Sequence, residues 1–326
     1  MDFLFDIVLG KPLWMWVSFI GVVLLLLAFD LGVLNRKQRE ISINDSLRMS
    51  AFYIVIALCF GAWVWFSLGA QSGEEYLTGF IVEKALALDN VFVISLIFSY
   101  FSIPQHYQHR VLFWGILGVI VLRAIMIGLG TTLVSEFSWI LYLFAVFLII
   151  TGVKMLFVGE ELPSIEKNPI LIFLKRNMRV TNELHGNKFT VRLIDNNTGK
   201  QAIYMTPLMV ALIMIEFVDL IFAVDSIPAI FTITLDPFIV YTSNIFAILG
   251  LRALYFALAA IIHRFQYLKT ALAWVLIFIG SKTFIADALN IEKFPAIISL
   301  GVTFAIIMAG IMLSLLKTRS KQQSSH

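Results

Sequence analysis

The sequence predicts an all-α polytopic membrane protein of about nine transmembrane helices, built around an inverted repeat and carrying one small cytoplasmic β-hairpin loop. Three observations carry that prediction. Of the 326 residues, 60% are hydrophobic and only 14% charged, where soluble domains carry roughly 25% charged residues. Apolar runs close to the roughly 20 residues needed to cross a bilayer recur along the chain. Two of those runs hold carboxylates at the same spacing.

The first span covers 12–34. Its apolar run, 14–29, is longer than a signal-peptide core and lacks a basic cluster before it and a small-residue cleavage site after it, so a retained helix is expected. Asp30, in FDLGVLNRK, falls near its cytoplasmic end, where it would cap the helix, pair with Arg36 or line an ion pathway. The second span, 48–71, contains AFYIVIALCFGAWVWF and the single cysteine, Cys59. One cysteine permits no disulfide within the chain and leaves the compartment open. The third, 77–102, carries Glu83, Lys84 and Asp89; the fourth, 110–132, carries Arg123; the fifth, 134–157, ends beside Lys154.

The segment 158–205 is the only sizeable soluble part. ILIFLKRNMRV reads as a short amphipathic helix. KFTVRLIDNNTGKQAIYMT reads as a hairpin turning at Asn196, Asn197, Thr198 and Gly199. It is too small for a catalytic domain and fits a cytoplasmic cap or a partner-binding loop. The sixth span, 206–232, contains FVDLIFAVDSIPAIF, with Glu216, Asp219, Asp225 and Pro228. Pro228 cannot donate to the Val224 carbonyl, so a helix break is expected over 224–228 that turns Asp225 inward. The seventh span, 236–262, places Asn244 near the outer mouth, as a cap or ligand, and carries Arg252. The eighth, 268–288, holds Lys282 and Asp287, an expected local pair. The ninth is 293–316, and the polar tail 317–326 is expected to be disordered. The domains expected are thus 1–157, the loop 158–205, 206–316 and the tail.

Orientation follows from Lys and Arg placement. Of 24 basic residues, eighteen fall on one side, two (Lys11 and Lys293) on the other, and four (Lys84, Arg123, Arg252, Lys282) inside spans. The N-terminus is therefore expected outside and the C-terminus in the cytoplasm, which requires an odd number of spans. The net charge of +3 comes with basic residues spread through loops and gives no nucleic-acid signature.

VEKALALDNVFVI (82–94) and VDLIFAVDSIPAI (218–230) are two copies of one pattern. Glu83 precedes Asp89 by six residues, as Asp219 precedes Asp225, and each second carboxylate is followed by a small polar residue, Asn90 or Ser226. The following spans echo again, LRAIMI with Arg123 against LRALYF with Arg252. The third span runs inward and the sixth outward, so the repeats, 77–157 and 206–288, are inverted. Inverted repeats meeting at the bilayer midplane around an ion site are a recurrent plan of secondary transporters. A spacing of six puts the paired acids about 120° apart on a regular helix, whereas Glu216 and Asp219 share a face.

The intramembrane acids are Asp30, Glu83, Asp89, Glu216, Asp219 and Asp225, with Asp287 nearer an edge, against Lys84, Arg123, Arg252 and Lys282. Arg123 and Arg252 read as charge partners of the acids. The donors in the spans are carboxylates, Asn90, Asn244, Ser226, Ser243 and backbone carbonyls, while all five histidines lie in loops or the tail. An oxygen-only donor set suits Mg, Ca or Mn. The candidate metal set is Asp89, Asp219 and Asp225, with Glu83, Glu216, Asn90 and Ser226. No nucleophile–base pair or phosphate loop is present, so no enzymatic activity and no organic cofactor are expected.

GFIVEKALALDNVFV, FSYFSIP, HRVLFWGILGVIVLRAIMI, DLIFAVDSIPAIFTIT, DPFIVYTSNIFAILGLRALYF and FDLGVLNRK resemble the TerC family of bacterial integral membrane proteins, and within it the Alx branch, over nearly the whole chain. The resemblance implies a bacterial inner-membrane location, export of Mn²⁺ as the transported ion and inverted repeats of the LysE-transporter type. It also implies an acidic site at Glu83, Asp89, Glu216, Asp219 and Asp225 with Asn90 and Ser226 beside it. Three functions stay open: a Mn²⁺ exporter coupled to H⁺ or Na⁺; an antiporter of another cation, Ca²⁺ or H⁺/Na⁺; and a non-transport assembly or stress factor acting through the loop. Beyond the cation, the coupling ion and membrane lipid, no partner is implied, and the oligomeric state is open.

Overall fold

The computed structural model describes residues 2–34, 43–137, 139–157, 165–194, 200–259, 267–289, 291 and 294–323; the side chains of Leu88, Asp89 and Asp225 lie outside the description. The protein is almost wholly helical. Two short strands, β1 (Ile7–Val8) and β2 (Lys11–Pro12), precede α1 (Leu13–Leu34), α2 (Ile43–Leu68), α3 (Ala70–Tyr100), α4 (Gln105–Glu136) and α5 (Ile140–Phe157). The segment between α5 and the next long helix holds α6 (Pro169–Asn177), β3 (Thr190–Ile194) and β4 (Gln201–Met205). Then come α7 (Pro207–Ile233), α8 (Pro237–Leu249), α9 (Leu251–Ala259), α10 (Leu268–Ala288) and α11 (Ala296–Gln323).

Eight helical segments among the described residues are long and apolar enough to cross a membrane: those of α1, α2, α4, α5, α7, α8 with α9, α10 and α11. Helix α3 has 31 residues, about 46 Å at 1.5 Å per residue. It reaches across by length but carries Glu74, Glu75, Glu83, Lys84 and Asp89, which is the physical reason it reads as less apolar than its neighbours. The helices satisfy their own backbone groups, as a hydrocarbon environment demands. Apolar side chains such as Phe66, Leu129 and Phe157 point outward and are exposed.

Helix α8 is the spine. Its residues from Phe238 to Leu249 are buried except Tyr241. Asp236 caps it by accepting from the Phe238 and Ile239 amides at 3.0 and 3.4 Å, Pro237 occupies the first turn, and Lys11 pairs with Asp236 at 2.9 Å. The chain reverses from α2 into α3 through Gly69 at φ +96, a conformation glycine adopts without steric cost.

The repeat shows itself where α5 crosses α10. A Cβ on Gly152 would stand 2.6 Å from the Ala273 carbonyl oxygen and 2.7 Å from Ile277; a Cβ on Gly280 would stand 2.6 Å from the Ala145 carbonyl oxygen and 2.9 Å from Ile149. The segments AVFLIITG (145–152) and AWVLIFIG (273–280) thus share the pattern A-x-x-x-I-x-x-G and touch reciprocally, antiparallel. Reciprocal contact is what a two-fold axis through the crossing produces.

Several expectations are corrected here. Helix α7 runs without interruption through Pro228; packing against α3, α4 and α5 holds it despite the missing donor, as membrane helices tolerate. The interruption falls instead in the seventh span, where Gly250 separates α8 from α9. Helix α11 continues to Gln323, past the expected start of the tail at 317, because Leu, Lys, Arg and Gln are good helix formers. β3 and β4 pair antiparallel from Thr190 with Met205 to Ile194 with Gln201, and the turn expected between them lies outside the described residues. Of the pair expected between Lys282 and Asp287, Lys282 donates to Ser299 at 3.3 Å among its contacts and Asp287 accepts from Tyr142 at 3.2 Å, which leaves that expectation neither met nor overturned.

Candidate functional site

The site is assembled on one buried arginine. Residues seven apart on a helix differ by only about 20° in direction. Glu83 and Asn90 therefore share a face of α3, and Asp219 and Ser226 share a face of α7. Both faces turn to Arg123, on α4, which is 1% exposed. Its Nη1 pairs with Glu83 and also donates to Ser226 Oγ at 3.0 Å and Asn244 Oδ1 at 3.2 Å. Its Nη2 and Nε donate to the two oxygens of Asp219 at 3.2 and 3.3 Å. Asn90 Nδ2 adds a bond to Asp219 Oδ1 at 3.1 Å. The planar guanidinium fork suits two carboxylates from opposite sides.

Four of the members are paired repeat positions. Glu83 on α3 corresponds to Asp219 on α7, and Asn90 corresponds to Ser226. Their convergence puts the two halves of the protein on one ionic centre. Two carboxylates against one guanidinium leave one negative charge in excess when both are ionised. Burying such an excess is costly, so the arrangement favours a further cation.

The donor set has spare capacity. Asn90 Oδ1, Asn244 Nδ2 and Glu216 Oε2 are buried with no hydrogen-bond partner, whereas buried polar atoms are nearly always paired. A cavity of about 320 Å³ opens onto the cluster, lined by Glu83, Asn90, Arg123 and Ser226, with Lys154 and Lys269 also in its wall. One water needs only roughly 10–15 Å³, so a hydrated ion fits. Among the described residues, no three His, Cys, Asp or Glu side chains converge to hold a metal; Glu83 and Asp219 are engaged by Arg123 instead.

The other candidate residues fall as follows. Glu216 lies one turn before Asp219 and packs on α4, 3.8 Å from a Cβ placed on Gly115 and against Gly118, where any Cβ would collide with it. It is not among the partners of Arg123. Asp89 and Asp225 each precede a cluster residue by one position on α3 and α7, and their side chains lie outside the described residues. Asn244 is fully buried within the cluster, not a cap near a mouth. Asp30 is buried and pairs with Arg252; Arg36 lies outside the described residues. Arg252 is thus a charge partner, as Arg123 is, but of an acid in the first span.

Sequence reasoning counted Lys84 among the intramembrane bases but gave it no role. Its Nζ donates to the Ala247 carbonyl at 3.0 Å and stands 2.8 Å from a Cβ placed on Gly250. A cation at the C-terminal end of α8 meets the negative end of the helix dipole. The only signal available was an intramembrane lysine with no spaced acid to explain it.

The sequence matches the family described as "Integral membrane protein TerC family" over residues 68–322. An "Uncharacterized membrane protein" of Rickettsia bellii (strain RML369-C) is 49% identical over 302 residues, covering 93% of this chain and 97% of the relative. A "Putative membrane-bound redox modulator Alx" of Salmonella typhi is 45% identical over 307 residues, 91% of this chain and 92% of the relative. A protein of that name from Photorhabdus laumondii is 46% identical over 291 residues, 86% and 89% of the two chains. No solved structure matches.

Proposed function

The chain belongs to the TerC family of integral membrane proteins, and on that premise we propose that it is a secondary transporter exporting a hard divalent cation, Mn²⁺, from the cytoplasm in exchange for H⁺ or Na⁺. The observation that carries the reading is the meeting of Glu83 and Asp219, equivalent residues of the two repeats, on buried Arg123. In this arrangement Arg123 is the internal counter-ion of the acids. Cargo entering by the 320 Å³ cavity takes the place of the guanidinium on Asp219, with Asn90 Oδ1 as a ready neutral oxygen donor. Asp89 and Asp225, one position from the cluster on each repeat, complete the negative charge for a divalent ion. When the cation leaves, Arg123 returns and keeps the acids neutralised.

The cell context belongs to the same proposal: a bacterial inner membrane, N-terminus periplasmic, C-terminus and the loop of α6, β3 and β4 cytoplasmic. We assign no enzymatic reaction. Relatives bear the name "Putative membrane-bound redox modulator Alx"; Cys59 is the only cysteine, so no dithiol pair exists within one chain, and a redox effect would follow from the cation moved.

The test is Mn²⁺ flux into inside-out vesicles. The parent should accumulate Mn²⁺, and Asp89→Asn, Asp219→Asn and Asp225→Asn should each slow it by at least about tenfold, about 1.4 kcal/mol in the barrier. If all three move Mn²⁺ like the parent, the assignment is wrong.

A further inference from the structure

A second buried charge cluster lies behind the first, and nothing in the transport scheme above uses it. Asp30 on α1 pairs with Arg252 on α9 and accepts a hydrogen bond from the Tyr53 hydroxyl on α2. The Arg252 guanidinium lies 5.9 Å from the Phe113 ring centroid. The other titratable groups around the cluster are His109 on α4, stacked on Phe256 within reach of the Arg252 charge, and Lys84 on α3, bound to Ala247 beside Tyr53. One carboxylate therefore holds one arginine, and no other described acid contacts it.

Two features tie this pair to its surroundings. A small cavity of about 30 Å³ has Arg252, Asp219 and Asn90 together in its lining. It is wide enough for a water, and Asn90 Oδ1 has no partner. Toward the N-terminal end of α2, Ser46 and Ser50 are buried with unpartnered hydroxyls. Ser46, Ser50 and Tyr53 stand at i, i+4 and i+7, one face of α2, leading to Asp30.

We propose that protonation of Asp30 weakens cation binding at Asp219, a pH-sensitive control on the transport site, because Asp30 and Asp219 compete for the Arg252 guanidinium. This inference rests on the reading of the protein as a cation antiporter. With Asp30 ionised, Arg252 stays on it and Asp219 is free of a second cationic neighbour. A proton taken from solvent along Ser46, Ser50 and Tyr53 settles on an Asp30 oxygen and removes the charge that holds Arg252. Arg252 then turns through the small cavity to Asp219 and repels the bound cation. Loss of the proton by the same hydroxyl route restores the first state, so the pair reads the proton concentration on the side where α2 begins and carries no proton across. No bond other than O–H forms or breaks, and the proton route stays separate from the larger cavity that admits the cargo.

The experiment measures Mn²⁺ binding by calorimetry to the full chain in phospholipid nanodiscs, at mildly alkaline and mildly acid pH. Asp30→Asn should bind Mn²⁺ at least about tenfold more weakly than the parent at alkaline pH, within the range of coupling between linked sites. Asp30→Asn/Arg252→Gln should regain the parent's affinity, which a merely structural role of the pair would not produce. Should Asp30→Asn fail to fold, Arg252→Gln alone decides, and its affinity should fall less between the two pH values than the parent's does. Asp30→Asn binding as tightly as the parent, a double variant as weak as the single, or Arg252→Gln as acid-sensitive as the parent would each overturn the inference. A parent that binds no Mn²⁺ at either pH sinks the cation reading itself.

Discussion

Arg123 decides what the site is. Its guanidinium reaches Glu83, Asp219, Ser226 and Asn244 through five contacts, three of them shared on Nη1, so its removal leaves two buried carboxylates without a counter-charge. Breaking a buried ion pair from one side typically costs about 3–5 kcal/mol. Arg123→Gln should therefore lower the thermal unfolding temperature in detergent. Added Mn²⁺ should recover much of the loss, since a ligand at about a hundred times its dissociation constant stabilises by about 2.7 kcal/mol. A variant whose unfolding ignores Mn²⁺ would argue that the acids serve only as scaffold. The sequence already marked Glu83, Asp219 and Arg123, because charges inside apolar runs are rare and need partners. It pointed to spacing six, Glu83 with Asp89 and Asp219 with Asp225, while the cluster is built on spacing seven, with Asn90 and Ser226. The choice between those faces depends on where α4 lies, which no local pattern encodes. The pairing of Asp30 with Arg252, 222 residues apart, was beyond local reading for the same reason.

At the level of elements, two glycine-dependent contacts carry the architecture. Gly152 and Gly280 let α5 and α10 touch backbone to backbone, as small residues do in membrane helix packing. Gly280→Leu puts atoms where the Ala145 carbonyl stands; overpacking of this kind costs about 1–3 kcal/mol or more. Lower yield of folded protein and a lower unfolding temperature are the expected readouts, and Gly301→Leu, at a position with open space around it, is the control that should leave both unchanged. The second contact is Lys84 on the α8–α9 junction. Lys84→Met removes the donor to Ala247 and strands a buried carbonyl, a loss of about 1–3 kcal/mol, read as faster hydrogen exchange at the junction; exchange like the parent's would mean that the carbonyl finds another donor. The lengths and order of the helices were legible from hydropathy, and the strands from alternation before Asn196. The place of the helix interruption was not. Proline at 228 is a local signal for a break, but packing around α7 outweighs one lost hydrogen bond. The interruption at Gly250 coincides with the approach of Lys84 from α3, a tertiary contact.

For the whole molecule, the reciprocal α5–α10 crossing and the shared Arg123 centre are what the proposed pair of inverted halves, joined at an axis and at a site, would produce. That plan fits alternating access by rocking one half against the other. It also fixes a topology that can be checked. In a Cys59→Ser background, a cysteine at His185 should react with an impermeant thiol reagent only from the cytoplasmic side, and one at Asp6 only from the opposite side; the reverse pattern would invert the direction of transport. The central claim is that acids from both halves hold one hard cation in place of Arg123. Its most direct measurement is a crystal structure of the protein with Mn²⁺, located by anomalous scattering at the manganese edge. The account predicts one peak between α3 and α7, with oxygens of Asp219 and Asn90 in its coordination shell and Arg123 withdrawn from Asp219. A peak elsewhere, or Arg123 still bound to both Glu83 and Asp219 in saturating Mn²⁺, would contradict it.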